Sequence, residues 1–386
     1  MFEASQEYLA SIGAAITTKE IKQQPQLWQE AYQLYRQQED KINRFLEDIF
    51  AKHDFVKVIF SGAGTSEFVG QTISPYLNKI HDGHHIQFES VPTTHIVAAP
   101  EYYLQKDMPT ILVSFARSGN SPESLKTVEL AKELVDDLYQ ITITCAPEGK
   151  LAQASQGDES NLLLLQPAGS NDQGFAMTGS YTCMSLTALL VFDQTIDKDG
   201  MIDAIVKMGQ NVLEEEERIQ SLADLAFKRI IYLGANGFFG LARESQLKIS
   251  ELTAGKIATM YDSPLGFRHG PKSFIDEDSL VVVYVSNNDY TRLYDQDLIN
   301  EVYHDQIAKQ VFTLNVDELA EVQADQFVFD NQYRSLADVY LSFPYILFAQ
   351  TLALLTSIKI GNKPDTPSPS GTVNRVVQGV ILHEYK

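Results

Sequence analysis

Two hydroxyl-rich turns and one charged row carry the residue types in this chain best suited to chemistry. Gly62-Ala63-Gly64-Thr65-Ser66 follows the apolar run Val58-Ile59-Phe60 and precedes a helical stretch. Glycines there let the backbone approach a phosphate, the helix N-terminus offers N–H groups and a positive dipole end, and two hydroxyls add donors. A tight strand-to-helix turn with no ligand explains this segment alone equally well. A dinucleotide fingerprint would need glycine at its sixth position, where this chain has Glu67, so a monophosphate ranks above a nicotinamide cofactor. The second turn, Arg117-Ser118-Gly119-Asn120-Ser121, ends another apolar run and leads into Pro122-Glu123, a favourable first helical turn. Ser118 and Ser121 could both reach one phosphate, although capping alone is enough to account for Ser121. In an open parallel sheet, loops after neighbouring strands meet at the carboxyl edge, so two such loops say more than either one.

Glu244, Lys248 and Glu251 are spaced by four and three, which puts them on one helical face. Taken alone, a solvated charged face with a Glu244–Lys248 ion pair is the favoured reading. Further on, Gly266-Phe267-Arg268-His269-Gly270-Pro271-Lys272 holds a histidine in a Gly/Pro-bounded loop. Such a histidine can act as acid or base near neutrality, but a loop histidine without a catalytic role is the commoner case. His81-Asp82-Gly83-His84-His85 is locally rich in histidine, and a surface turn is preferred there over a metal site.

The elements that must position these residues occur twice, offset by roughly 170 residues. Val58 to Gly64 is echoed by Ile230-Ile231-Tyr232-Leu233-Gly234-Ala235-Asn236. Thr110 to Ser114 is echoed by Leu280 to Tyr284, Gln140 to Thr144 by Gln310 to Leu314, and Ser185 to Leu190 by Gln350 to Leu355. The second copy has lost the hydroxyl pair in its first turn, and Ser286-Asn287-Asn288-Asp289 brings an acidic residue into the second, so a second phosphate site is not expected. Short Val-, Ile- and Phe-rich strands alternating with helices predict parallel sheets covered on both faces, an α/β fold.

The predicted organisation is a helical segment over 1–50, α/β units over 51–200 and 201–362, and a Pro-rich tail over 363–386. Thr17-Thr18-Lys19-Glu20 has the form of a capping box, and Pro25 is expected to split the first segment into two helices. With 30 basic and 51 acidic residues, the net charge is −21, which works against non-specific binding to nucleic acid or anionic lipid. An anionic small ligand would have to be held by local dipoles. No run approaches the ~18 consecutive apolar residues of a membrane span. The start lacks a secretory pattern, and Cys145 and Cys183 fit a reducing compartment, so a cytoplasmic location is expected.

Together these segments resemble the sugar isomerase (SIS) domain superfamily and its two-domain aldose–ketose isomerases. Glu244 to Glu251 and His269-Gly270-Pro271 are similar to the catalytic helix and loop of the isomerase half of glucosamine-6-phosphate synthase. The string Met260 to Lys272 and the tail Pro369-Ser370-Gly371-Thr372-Val373-Asn374-Arg375-Val376-Val377-Gln378-Gly379-Val380 resemble more closely the galactosamine-6-phosphate deaminase/isomerase group, also called tagatose-6-phosphate ketose/aldose isomerases. The resemblance implies two tandem three-layer αβα domains, the first for the phosphosugar and the second bearing the catalytic helix and histidine loop. It implies that Thr65, Ser66, Ser118 and Ser121 hold the phosphate, with Gly64, Arg117, Asn120, Glu244 and Lys248 in the substrate-binding set. Glu251 would move the proton between C1 and C2, and His269 would assist ring opening. Asn374 or Arg375 falls near the place of the synthase's tail lysine. Ala116 and Arg117 replace a serine and a glutamine of the synthase, and transfer of ammonia from glutamine is not expected. The implied partners are a sugar phosphate and other copies of the chain, as a homodimer or homotetramer with shared active sites. Neither a metal nor a cofactor is called for. The alternatives are an isomerase without deamination and a non-catalytic sugar-phosphate sensor.

Overall fold

Apolar runs rich in β-branched and aromatic residues, fully buried in the central strands and half-buried at the edges, form two five-stranded sheets in the computed structural model. It describes residues 1–81, 83–368, 370–371, 373–375 and 379–385. Asp82 of the histidine-rich turn and Pro369, Thr372, Val376, Val377 and Gln378 of the tail string lie outside the described residues. The chain divides into two compact units. One comprises Gln26–Gln173, Met177–Lys198 and the tail from Ser370; the other comprises Met1–Pro25, Gly174–Ala176 and the chain from Asp199 up to the tail.

The first sheet is built from β1 (Val56–Ser61), β2 (Ile86–Ser90), β3 (Thr110–Ala116), β4 (Leu138–Thr144) and β5 (Asn161–Leu165), in the order β2-β1-β3-β4-β5. Every pairing is parallel. Ile59 and Leu112 pack under helices through Ile96, Leu130 and Ala131, while Phe60 faces Phe88, Phe115 and Phe192. Both faces are therefore covered, which is why these strands read as continuous apolar runs instead of alternating ones. The strand order reverses between β1 and β3, and that switch point is where doubly wound sheets leave a crevice at their carboxyl edge. Ser61 stands opposite Ser114 in the register, so the turns that follow β1 and β3 start at nearly the same level.

The second sheet repeats this plan with β6 (Arg229–Gly234), β7 (Ala258–Asp262), β8 (Ser279–Tyr284), β9 (Gln310–Val316) and β10 (Asp325–Phe329). Its order, β10-β9-β8-β6-β7, is the first order read from the other edge. The echoes seen in sequence fall on equivalent elements, with one refinement. Lys57 pairs with Thr110 as Arg229 pairs with Ser279, so the echo of the second repeated strand is displaced by one residue from the sequence match.

The first turn is duplicated in its backbone. Gly64 has φ 57° and ψ −129°, and Asn236, its counterpart, has φ 52° and ψ −121°. A Cβ on Gly62 would lie 2.6 Å from Ser66, and one on Gly234 would lie 2.5 Å from Phe238. The same strand-end glycine thus lets the same helix turn close in both copies.

Two expectations for the amino-terminal segment need correction. The helix Ala15–Lys22 begins before Thr17, so no capping box forms; the Asp365 carboxylate instead accepts from the N–H groups of Ile16 and Thr17 and from the Thr17 hydroxyl. Three helices, not two, occupy this segment, with Pro25 in the first turn of Gln24–Phe50, where its missing N–H costs nothing. The helix Asp338–Lys359 is long and apolar enough by composition to cross a membrane, but 94% of its most apolar window is buried within the fold.

Asn236 holds a conformation suited to glycine, and its side chain is exposed. Asn236→Gly is expected to stabilise the protein by about 1 kcal/mol, raising Tm by roughly 2–4 °C in a thermal melt.

Candidate active site

In the first unit, β1 and the helix Thr65–Ile80 present Thr65 and Ser66 in the helix's first turn, both buried. Ser66 Oγ approaches Met177 Sδ at 4.0 Å. On the neighbouring loop, Ser121 caps the helix Pro122–Leu134, accepting from the Ser124 N–H, and its hydroxyl shares a 2.6 Å hydrogen bond with that of Ser124. Ser118 Oγ accepts from the Asn120 N–H at 3.4 Å, and Asn120 Oδ1 from the Lys150 N–H at 3.0 Å. Ser118 and Ser121 are half-buried and Asn120 is exposed, so these polar groups are open to an incoming ligand.

The tail is tied to this unit by two arginines. Arg117 Nη2 donates to the Arg375 carbonyl at 2.5 Å, and Arg375 Nε donates to the Asp172 carbonyl at 3.0 Å. Asp172, fully buried, accepts through its carboxylate from the N–H groups of Thr178, Gly179 and Ser180, satisfying the start of the helix Gly179–Phe192. Sequence reasoning did not find Asp172. Its partner Arg375 stands 203 residues away, and no local pattern announces the link. Asn374 is exposed.

In the second unit the helix Gly237–Leu252 carries Glu244, Lys248 and Glu251. Lys248 Nζ lies 3.3 Å from Glu244 Oε1 and 2.7 Å from Glu251 Oε2. The Glu244 and Lys248 side chains are 0% exposed and that of Glu251 is 23% exposed. This corrects the solvated-face reading: the row is a buried ion triad with only its last carboxylate reaching the surface. Burial alone would pull the Lys248 pKa down, but the charges of Glu244 and Glu251 more than reverse this and hold it above the ordinary lysine value. The ammonium therefore stays charged. The Ser357 hydroxyl and the Asn362 amide both donate to the Leu252 carbonyl, at 2.5 and 2.8 Å, fixing the helix end next to Glu251.

His269 is exposed, in the turn between the helix Pro264–Phe267 and the single turn Pro271–Phe274. Among the described residues no hydrogen bond joins it to Glu251. Its neighbours are held by the helix Asp289–Asp305: Arg268 pairs with Glu301 at 2.8 Å, and Lys272 with Glu301 and Asp305, each at 2.5 Å. Phe238 takes the place of Ser66 and packs on Tyr284 and Tyr345, leaving no hydroxyl at that position. Among the described residues no cluster of three metal-ligating side chains occurs.

Two doubly wound sheets of identical order, each with a strand-to-helix turn at its switch point, define a duplicated α/β protein. A family model described as SIS domain matches residues 50–192, the first copy. D-galactosamine-6-phosphate deaminase AgaS of Escherichia coli O157:H7 is 43% identical over 372 residues, covering 96% of each chain. The protein of the same name from Shewanella sp. (strain ANA-3) is 39% identical over 99% of this chain and 95% of its own. The crystal structure of tagatose-6-phosphate ketose/aldose isomerase from Escherichia coli superposes with a TM-score of 0.89 at 38% identity, covering 99% of each chain. The chain belongs to the SIS-domain family, in the group of D-galactosamine-6-phosphate deaminases AgaS.

Removing the Lys248 ammonium leaves the Glu244 carboxylate buried without its counter-charge. Lys248→Met is expected to lower stability by about 3–5 kcal/mol in chemical denaturation, and Glu244→Gln added to it to restore part of that loss.

Proposed function

We propose that this protein is an amino-sugar phosphate deaminase/isomerase that converts galactosamine 6-phosphate and water into tagatose 6-phosphate and ammonia. The observation that carries this reading is the buried Glu244–Lys248–Glu251 row ending in a solvent-reaching carboxylate, in a chain 39–43% identical to proteins named for this reaction.

In this reading Thr65, Ser66, Ser118 and Ser121, with Gly64, Arg117 and Asn120, hold the phosphate in the domain over 51–200. The domain over 201–362 moves the proton. His269 assists ring opening, passing a proton to the ring oxygen as the C1 aldehyde forms. Glu251 then removes the C2 proton, giving an enolamine, and returns it to C1, giving a 2-imine. Water adds to the imine carbon, the C–N bond breaks and ammonia leaves, so the product is the ketose phosphate. Lys248 keeps the carboxylate oriented, and its fixed positive charge offsets negative charge developing on the substrate oxygen. Glu244, beneath Lys248, holds the ammonium in place. Asn374 and Arg375 contribute from the tail. The same reading carries a cytoplasmic homodimer or homotetramer, with His269 serving a neighbouring subunit's site.

The likeness to the tagatose-6-phosphate ketose/aldose isomerase from Escherichia coli favours the second reading, in which the same proton transfer acts on a 2-hydroxy sugar and no ammonia leaves. Ammonia release from galactosamine 6-phosphate and glucosamine 6-phosphate, assayed side by side, decides between them. Release from the galacto substrate alone is the expected result, with Glu251→Gln lowering kcat at least roughly 100-fold and His269→Ala lowering it less on a pre-opened substrate. Silence on both amino sugars while tagatose 6-phosphate is still interconverted establishes the simple isomerase.

A further inference from the structure

The second unit has its own loop at the switch point, and something already sits in it. Ser286-Asn287-Asn288 follows β8 and leads into the helix Asp289–Asp305, just as 117–121 follows β3 and leads into Pro122–Leu134. Both loops end on a side-chain cap that accepts from the N–H three residues on, Ser121 from Ser124 and Asn288 from Thr291. They differ in exposure. Ser118 and Ser121 are half-buried and Asn120 is exposed, whereas Ser286 is fully buried and Asn287 is 8% exposed.

The cause is Asp338, the first residue of the helix Asp338–Lys359. Its Oδ2 accepts from the Ser286 hydroxyl at 2.5 Å and its Oδ1 from the Asn287 N–H at 2.7 Å. Asp295, also buried, accepts from the Ser286 N–H at 2.9 Å. One hydroxyl and two successive backbone N–H groups, the donor set that cradles a phosphate on such loops, are thus spent on two carboxylates. Positive charge is packed around them. Arg334 donates to the Asn287 carbonyl and pairs with Asp289. Arg292, about nine-tenths buried, holds the Val316 carbonyl through Nη2, while its Nη1 has no hydrogen-bond partner among the described residues. The acidic residue visible in the sequence, Asp289, is not the occupant. Its side chain is 95% exposed.

We infer that the second copy keeps an anion-binding loop and that the Asp338 carboxylate is its built-in occupant, so that a phosphate-sized anion enters this unit only when that carboxylate is removed. The loop then stabilises the fold through an internal ion and leaves one phosphate handle per chain.

The test compares thermal melts of full-length wild type and Asp338→Ala in inorganic phosphate and in chloride at matched ionic strength. In chloride the variant is expected to melt roughly 4–8 °C lower, since it strands two buried donors, the Ser286 hydroxyl and the Asn287 N–H. Added phosphate is expected to recover that loss in a graded way and to raise the variant's Tm more than the wild type's. Asp338→Asn, whose amide still fills the loop, is expected to show no such excess. If Asp338→Ala does not purify, Asp338→Ser carries the same comparison. A phosphate response in the small-residue variant no larger than in wild type overturns the inference. No turnover is needed, so the result is independent of the reaction catalysed.

Discussion

A lysine with no exposed side-chain surface cannot keep its charge without partners, and the second unit is arranged to supply them. Glu244 lies one turn before Lys248 and Glu251 one turn after it on the same helix. Each contact alone would be a weak surface pair if hydrated, but burial makes both necessary, because a lone buried charge costs several kcal/mol. The helix must therefore run straight through Glu251 to its end. That requirement is met at Leu252, whose carbonyl accepts from Ser357 and Asn362. Below it the helix rests on Asp338–Lys359, β6 and β7. The one carboxylate of the triad that reaches solvent is therefore held by side-chain pairing, helix capping and packing at once.

The duplication separates what the backbone conserves from what side chains changed. Gly64 and Asn236 share a backbone conformation that asparagine tolerates poorly, and Gly62 and Gly234 meet the next helix at the same distance. The turn geometry is thus common to both copies although the side chains on it differ. Phe238 stands at the position equivalent to Ser66 and joins a stack with Tyr284 and Tyr345. The second loop closed on Asp338. In place of the open polar groups, the second unit carries a charged row on its first helix. Two units with one topology thus present different side chains at a few positions around the switch point.

The strands and their repeat were legible because burial on both faces writes continuous apolar runs in the central strands, and because Gly62 and Gly234 sit where an added Cβ would meet the next helix. The hydroxyl loops were legible for the same local reason. What escaped were contacts between residues distant in sequence. Thr17 looked like a cap because its neighbours fit the pattern, but the capping carboxylate is Asp365, 348 residues away. Glu244 and Lys248 looked solvated because an i,i+4 pair has the same spacing on a surface as in a core, and only the helices packed around them decide which it is. The Arg117–Arg375–Asp172 chain and the Asp338 occupant have no local signature. The roles proposed for Glu251 and His269 rest on resemblance and have no local signature.

The net charge of −21 sets the terms on which an anionic sugar could be held. At physiological ionic strength, charges more than about 8 Å away are largely screened, so the acidic surface slows approach without deciding affinity at a contact site. Close-range donors decide it, and the first unit concentrates them where two helices begin beside the switch point. Glu67, in the first turn of its helix, is placed to compete for those N–H groups, but its carboxylate accepts from Gln71 Nε2 at 2.9 Å. In the second unit the same competition is won by Asp338. Whether a loop of this fold is open to an anion therefore depends less on the loop than on where the nearest carboxylate is tied.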